Sequence, residues 1–531
     1  SSLWSMAGFM PFLSIAFLNA FTDLGHKIVI QNTLFKVYEG DELTFYTSLI
    51  QLMILLPFLM VFTPAGFLSD RFSKVSMIRW ASFSAIPITI GILSAYYLEA
   101  FELAFALTFA LGIQSAIYSP AKYSLIRELV GKKHLAGANS AIQALTIVAI
   151  LGGTAGYSFL FENWVSEGSA GEILYSVRYA GFFLVAGAMI EWLSSLRLPE
   201  VSVPRADLKF PWKKYFRGQS LVENLKGSMT TPVIKQSILG LSIFWAINQV
   251  LLASFGSYFK EVTGSENTLV SNGIMGVAGL GIIIGSVLAA KLSKNYIETG
   301  LLPIATLGIA ASLLSVPHLT SISSLMILFG VYGVFGGLFL VPLNSLIQFH
   351  AGDDEGGRVL ASNNFVQTLV MVGFLGTNLG LSVWEVSSAR TFMILGAIAI
   401  LGCMWTLIHL PQSMIRLALK MMATPRYKLT VTGLDNLPHQ GGVLLLGNHI
   451  SWIDWAMLQL ASPRPIRFVM LRSIYEKWYM KWFLDLCGVI PIAQGSSKDA
   501  IRQVSICLKN GETVALFPEG HISQNGSLSS F

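Results

Sequence analysis

Gly66-Phe67-Leu68-Ser69-Asp70-Arg71-Phe72-Ser73-Lys74 is a short polar island between two apolar runs, 46–68 and 77–97. Each run is long enough to cross the hydrocarbon core of a bilayer, which takes about 20 helical residues. The island therefore reads as a loop at one face of a membrane. The same pattern repeats outward from it. Apolar runs occupy 8–32, 46–68, 77–97, 101–124, 138–161, 176–197, 236–258, 270–292, 300–318, 324–346, 360–384 and 390–410, twelve in all.

Composition agrees. Of 531 residues, 53% are hydrophobic and 12% charged, about half the charged share of a soluble domain. The net charge of +6 is modest and reads as loop charge facing an anionic leaflet, not as nucleic-acid binding. Cys403, Cys487 and Cys507 are scattered, so neither a disulfide framework nor a metal site is expected. Ser1 to Met6 lack the basic start and cleavage site of a signal peptide. A chain that opens without Met and stops at Phe531 is expected to be a piece of something longer.

After the sixth run, residues 198–235 are polar, proline-bearing and basic, with Pro199, Pro204, Arg205, Lys209, Lys213, Lys214, Arg217 and Lys226. Two six-helix halves, 8–197 and 236–410, joined by a hydrophilic loop match the parallel-repeat plan of many secondary transporters. Loop charge alternates. Arg71, Lys74 and Arg79, then Arg127, Lys132 and Lys133, then Lys291 and Lys294, then Arg358 stand on one side. Glu39, Asp41, Glu42, Glu99, Glu102, Glu162, Glu167 and Glu172 stand on the other. The positive-inside rule then places both termini in the cytoplasm of a multi-pass membrane protein. The halves also match each other. Ser119-Pro120-Ala121-Lys122-Tyr123-Ser124-Leu125-Ile126 corresponds to Val341-Pro342-Leu343-Asn344-Ser345-Leu346-Ile347, and Asn139 with Gln143 to Asn363 with Gln367.

With loop position, span number and duplication in agreement, the 66–74 loop resembles the signature loop of the major facilitator superfamily. A weakened copy, Lys291-Leu292-Ser293-Lys294, sits between runs eight and nine. Asp23, Ser119-Pro120-Ala121-Lys122-Tyr123 and Val341-Pro342-Leu343-Asn344 resemble the lysophospholipid transporter branch, over roughly residues 8–410. Gly66, Asp70 and Arg71 are expected to act as a conformational latch. Asp23 has His26 and Lys27 three and four positions on, along one helix face. It reads either as a self-neutralising pair with Lys27 or, with Lys122, as the seat of a zwitterionic head group or coupling ion. Lys122 alone also fits a snorkelling loop lysine. Asn139, Gln143, Asn344, Asn363 and Gln367 are candidates for the cavity wall, against the commoner role of helix–helix glue. Glu191 has no partner that the sequence names.

Past Pro411 the character changes. Residues 411–424 form a basic amphipathic linker suited to the membrane surface, with Arg416 and Lys420 beside apolar residues. From 425 strand-like segments (Tyr427 to Thr432, Val443 to Leu446) alternate with helices and turns, as in an α/β domain. Gly447-Asn448-His449-Ile450-Ser451-Trp452-Ile453-Asp454 puts a histidine and an aspartate five apart after an apolar strand. Such a pair supplies a base and its orienter. An ordinary buried His–Asp hydrogen bond is the plain alternative. No serine or cysteine nucleophile lies near, so a substrate hydroxyl would attack. About 65 residues on comes Leu516-Phe517-Pro518-Glu519-Gly520-His521.

These two blocks resemble the glycerolipid acyltransferases, most closely those acting on 2-acylglycerophosphoethanolamine. Residues 425–531 match only the N-terminal part of such a domain, which is expected to be incomplete at its C-terminus. The resemblance implies His449 as general base, Asp454 as its orienter, and Asn448, Ser451, Glu519 and Gly520 at the lysolipid. It implies no bound cofactor, acyl-carrier protein or acyl-CoA carrying the donor, and a synthetase domain beyond Phe531. Two departures stand out. His521 replaces the frequent arginine after Glu-Gly, and Ala493 and Gln494 stand where another arginine is expected. Arg467 and Arg472 are the candidate replacements. The expected whole is a bacterial inner-membrane protein that flips lysophosphatidylethanolamine inward and reacylates it. The rivals are a small-solute or drug carrier with an unrelated acyltransferase, and a scaffold that only presents lipid.

Overall fold

Long apolar stretches without water to satisfy their backbone must close their hydrogen bonds internally, and they do so as helices. The computed structural model describes residues 6–200, 212–213, 219, 231–293, 296–351, 356–423, 426–433, 436–438, 441–462, 464–493 and 497–523. Among these, eleven helices are long and apolar enough to span a membrane, and a bent pair makes a twelfth.

The first half comprises α1 (Phe9–Val37), α2 (Gly40–Met60), α3 (Phe62–Arg71), α4 (Lys74–Tyr97), α5 (Phe101–Trp164), α6 (Ala170–Ser176) and α7 (Tyr179–Ser195). Span two, expected at 46–68, is two helices. Pro57 lies inside α2, the backbone breaks at Val61, and α3 begins with Pro64 in its first turn, where a missing N–H costs nothing. The polar island is thus the end of α3 plus Phe72 and the N-cap Ser73, whose Oγ accepts from Ser76 N at 3.4 Å. The loop expected between 124 and 138 is helical backbone, so runs four and five share α5. Run six is α7, and the short α6 ahead of it meets it at a bend of 65°. The second half comprises α8 (Pro232–Thr263), α9 (Thr268–Leu292), α10 (Leu301–Ser315), α11 (Ile322–His350), α12 (Gly356–Val383) and α13 (Ser388–His409).

Two compact units emerge. The first is 1–285 with 309–398. In it α1 packs on α5 and α7, and α2 packs across the halves on α8 and α12. Polar side chains stitch that seam. Asn272 donates to Asn32 Oδ1 and Ser158 Oγ, both at 2.9 Å. Asn378 donates to Ser48 Oγ at 2.9 Å and Ser254 Oγ at 3.1 Å. Glu162 accepts from Thr268 N at 2.6 Å and pairs with Lys36 at 3.2 Å.

The second unit is 286–308 with 399–531. It holds α14 (Pro411–Ala423), β1 (Val443–Leu446), α15 (Asp454–Ala461), β2 (Ile466–Leu471), α16 (Arg472–Tyr475), α17 (Trp478–Leu486), β3 (Ile490–Ile492), α18 (Ser497–Lys509) and β4 (Thr513–Leu516). The sheet is wholly parallel, in order β1-β4-β2-β3, with Leu446 opposite Leu516 and Phe468 opposite Ala515. Ile466, Phe468 and Ala515 form its core with Leu445, Trp455, Leu458 and Phe517. Tyr427 to Thr432, read as strand, joins no sheet among the described residues. The amphipathic linker differs from its expected surface role, since Arg416 and Leu417 of α14 are buried.

Candidate functional site

In an open parallel sheet the chain ends converge at the carboxyl edge, where ligands bind. β1 delivers His449 to that edge and β4 delivers Glu519. Hydrogen bonds knit the two blocks, from Gly447 N to Leu516 O (3.3 Å) and from Ser523 N to His449 O (2.7 Å). The His449 ring stacks on Phe517, centroids 4.6 Å apart and planes 18° apart.

The turn after His449 folds back, and Nδ1 lies 2.9 Å from Asp454 Oδ2. The same oxygen accepts from Ile450 N at 2.7 Å and Ser451 N at 2.8 Å. A carboxylate only accepts, so Nδ1 carries the proton and Nε2 keeps its lone pair. Partial burial pushes the Asp454 carboxyl up. The hydrogen bonds from His449, Ser451 and Ile450 outweigh that, and its pKa lies below the ordinary aspartate value. The carboxylate is therefore ionised throughout the neutral range, fit to fix a tautomer and to steady an imidazolium.

Ser451 spends its amide on Asp454 and its hydroxyl on Ile453 N at 3.3 Å, so it builds the turn. Asn448 is exposed. Glu519 is buried, with 7% exposure, and neither carboxylate oxygen has a hydrogen-bond partner among the described residues. Gly520 takes φ +66°, which only glycine adopts freely, and closes the turn from its N–H to Phe517 O at 3.2 Å. Arg467, at the other end of its strand, is held by Glu512 at 2.7 Å. Arg472 follows β2 directly and stands at the carboxyl edge. Gln494 lies outside the described residues.

An apolar cleft opens next to Trp455, the residue after Asp454. Ile415 and Leu419 of α14 form one wall; Trp455, Phe468 and Phe483 face them. Burial pushes the thiol of Cys487, in the same lining, up to about 11.

In the first unit, Asp23 shares a hydrogen bond with Ser115 and feels the charges of Lys27 and Lys122. Lys122 Nζ stands 5.6 Å from the Tyr118 ring centre. His26 points elsewhere than the shared face suggested, meeting Tyr96 OH at 2.8 Å and Ala104 O at 3.0 Å in full burial. Asn344 bonds back to Leu340 O at 3.0 Å, and Gln367 donates to Asn363 at 2.8 Å. The side chains of Asn139, Gln143 and Asp70, and all of Lys294, lie outside the described residues. Gly66 has open space where a Cβ would be, and Arg71 sits by the Phe67 and Phe72 rings. Glu191 finds its partners in Ser82 (2.9 Å) and Asn19 (3.5 Å).

Sequence reasoning missed the seam asparagines, since a lone Asn in an apolar run signals only that it needs a partner. It read Arg79 only as a loop charge, whereas Arg79 binds Glu200 at 2.6 Å and Leu198 O at 2.9 Å, tying α4 to the end of α7.

Comparison with known proteins follows the same division. The family model described as Major Facilitator Superfamily matches residues 2–375, and the one described as Acyltransferase matches 428–531. A lysophospholipid transporter LplT of Photorhabdus laumondii is 27% identical over 375 residues, 70% of this chain and 87% of its own. Its Escherichia coli counterpart is 26% identical over 390 residues, 71% and 89% respectively. Among solved structures, a POT family transporter in complex with 5-aminolevulinic acid aligns with TM-score 0.62 at 13% identity, over 78% of this chain and 98% of that one. The xylose transporter XylE from E. coli aligns with TM-score 0.55 at 15% identity, over 76% and 98%. At such identities the structures speak for the fold alone.

Proposed function

The chain belongs to the Major Facilitator Superfamily and carries an acyltransferase domain, and from that premise we propose that it moves lysophospholipid inward across a bacterial inner membrane and reacylates it there. One observation carries this reading. Relatives named as lysophospholipid transporters match its carrier, and the same chain holds His449 hydrogen-bonded to Asp454 together with a buried Glu519 whose carboxylate has no hydrogen-bond partner among the described residues. Joining the two activities raises the effective concentration of the carrier's product at the second site.

The substrate is lysophosphatidylethanolamine, taken from the outer leaflet, with both termini in the cytoplasm. Asp23 meets the ammonium of its head group and Lys122 the phosphate, with Asn344, Asn363 and Gln367 along the path. Gly66 and Arg71 belong to the latch. In the enzyme the lysolipid hydroxyl attacks the carbonyl of an acyl thioester on acyl-carrier protein or coenzyme A. Nε2 of His449 takes the hydroxyl proton as the new C–O bond forms, Asp454 steadies the imidazolium, and the proton passes to the thiolate as the C–S bond breaks. Glu519, Gly520, Asn448 and Arg472 hold the head group. A synthetase that charges the carrier protein is the natural partner.

The test is reconstitution. Fluorescent lysophosphatidylethanolamine is placed in the outer leaflet of proteoliposomes, and its protection from albumin is followed, with acyl donor sealed inside. Faster protection than in empty vesicles or Asp23→Asn, followed by diacyl product, is the expected result. No faster protection with folded, inserted protein removes this lipid as cargo and favours the small-solute carrier or the scaffold.

A further inference from the structure

Asp454 stands on the first turn of α15, and α15 has only 8 residues. A two-turn helix has too little internal cooperativity to fix its own direction, so its aim is set by what packs on it, Trp455 and Leu458 in the sheet core and Gln459 on Ile466 N at 2.9 Å, and by what grips its ends. The end remote from the histidine is gripped by side chains from outside the α/β fold. Tyr296 donates its hydroxyl to Leu460 O at 3.3 Å, and Arg416 of α14 donates Nη1 to Ser462 O at 3.4 Å. These are among the carbonyls a helix end leaves without intrahelical partners.

Arg416 is itself locked. It is 2% exposed, and its Nη2 lies 3.0 Å from Oε1 of Glu298, which is 0% exposed. Lys420 reaches the other oxygen of Glu298 at 3.5 Å and Leu292 O at 2.6 Å. Both cations lie over the Tyr296 ring, 4.5 and 4.9 Å from its centre. Thr299 donates to Ser413 Oγ at 2.9 Å. At Gly300 an added Cβ would fall 2.3 Å from Ser413 O, so only glycine allows this approach. Tyr296, Glu298 and Gly300 belong to the turn between α9 and α10, two membrane spans of the carrier.

We propose that this carrier turn is a working part of the acyltransferase: Tyr296, Glu298 and Arg416 are positioning residues that hold α15 so that Asp454 stays on Nδ1 of His449. None of the three acts on substrate. They act through the helix, and a displacement of about 1 Å in such a pair is enough to cost on the order of 10²-fold in rate. The proposal rests on the acyl-transfer role of His449 and Asp454.

The full chain in proteoliposomes decides it, read by acyl-transfer kinetics, lysolipid uptake and amide hydrogen exchange over 455–462. Glu298→Gln is expected to lower kcat about 10-fold or more, with KM and uptake within about twofold and α15 exchanging faster. Arg416→Lys, which keeps the charge and loses the fork, falls between, and Tyr296→Phe loses about two- to threefold. Unchanged kcat and unchanged exchange in Glu298→Gln overturn the proposal, as does a risen KM at unchanged kcat. If that variant does not fold, Tyr296→Phe decides by the same criteria, since it removes one hydroxyl. Absence of acyl transfer in the wild type would defeat the functional reading, while the exchange measurement still tells whether the turn holds α15.

Discussion

Glu298 and Glu519 are both buried carboxylates of the same unit, and they are furnished in opposite ways. Glu298 has two cations and a backbone N–H (Gly300, 3.4 Å) around it. Glu519, at the carboxyl edge of the sheet, has no hydrogen-bond partner among the described residues. Leaving a buried polar group unmet costs about 1–3 kcal/mol, more when it is charged. In the function proposed above, the lysolipid head group is what meets Glu519. The contrast separates a carboxylate neutralised by two cations, with only Oε2 lacking a hydrogen bond, from one that neither a cation nor a hydrogen-bond donor meets among the described residues.

The widest test sets the scale. His449→Ala is expected to lower acyl transfer by about 10²–10⁴-fold, the usual worth of a general base, with lysolipid uptake intact in the same vesicles. Loss of both together would mean that the two activities are not separate. Next, Arg416→Met strands Glu298 in the interior and is expected to destabilise the unit by about 3–5 kcal/mol, read as a lowered midpoint in thermal or urea unfolding. Glu519→Gln should do the reverse for stability, raising it by about 1 kcal/mol or leaving it unchanged, while the lysolipid KM climbs about 10-fold. A stability loss there would erase the distinction between the two carboxylates.

Smaller effects sharpen it. Asp454 has a depressed pKa, so its contribution is fully present above the unfolded value near 4 and is lost as pH falls through the folded one. The gap in melting temperature between wild type and Asp454→Asn is thus expected to close as pH falls below about 4. Last, with its thiol pushed up to about 11, Cys487 is expected to alkylate far more slowly than a free thiol at pH 8, and a single-chain lipid in the cleft should slow it further. Mass spectrometry of iodoacetamide-treated protein gives both rates.

What the sequence revealed followed distance along the chain. The spans are legible because bilayer thickness sets a length that composition alone reports. The His449–Asp454 pair is legible because a five-residue turn makes it. Pro57 and Pro64 stand in run two, yet either residue is tolerated in a helix, and only the structure shows the break at Val61. Glu191 with Ser82, and Glu298 with Arg416, lie 109 and 118 positions apart, and no local pattern joins them. One signal was there to use. Glu298 is an acid in a loop that the charge rule assigns to the basic side, and Gly300 follows it two residues later.

The close approach at Gly300 bears on how far the two activities are portable. A cut made where the composition changes, at 411 or at 425, looks like a cut between modules. It would instead divide a single packed interior. An enzyme begun at 425 has neither α14 nor the turn, so its cleft loses a wall and the end of α15 its two donors. Moving this enzyme to another carrier therefore means moving Tyr296, Glu298 and Gly300 with it, as one inherited joint.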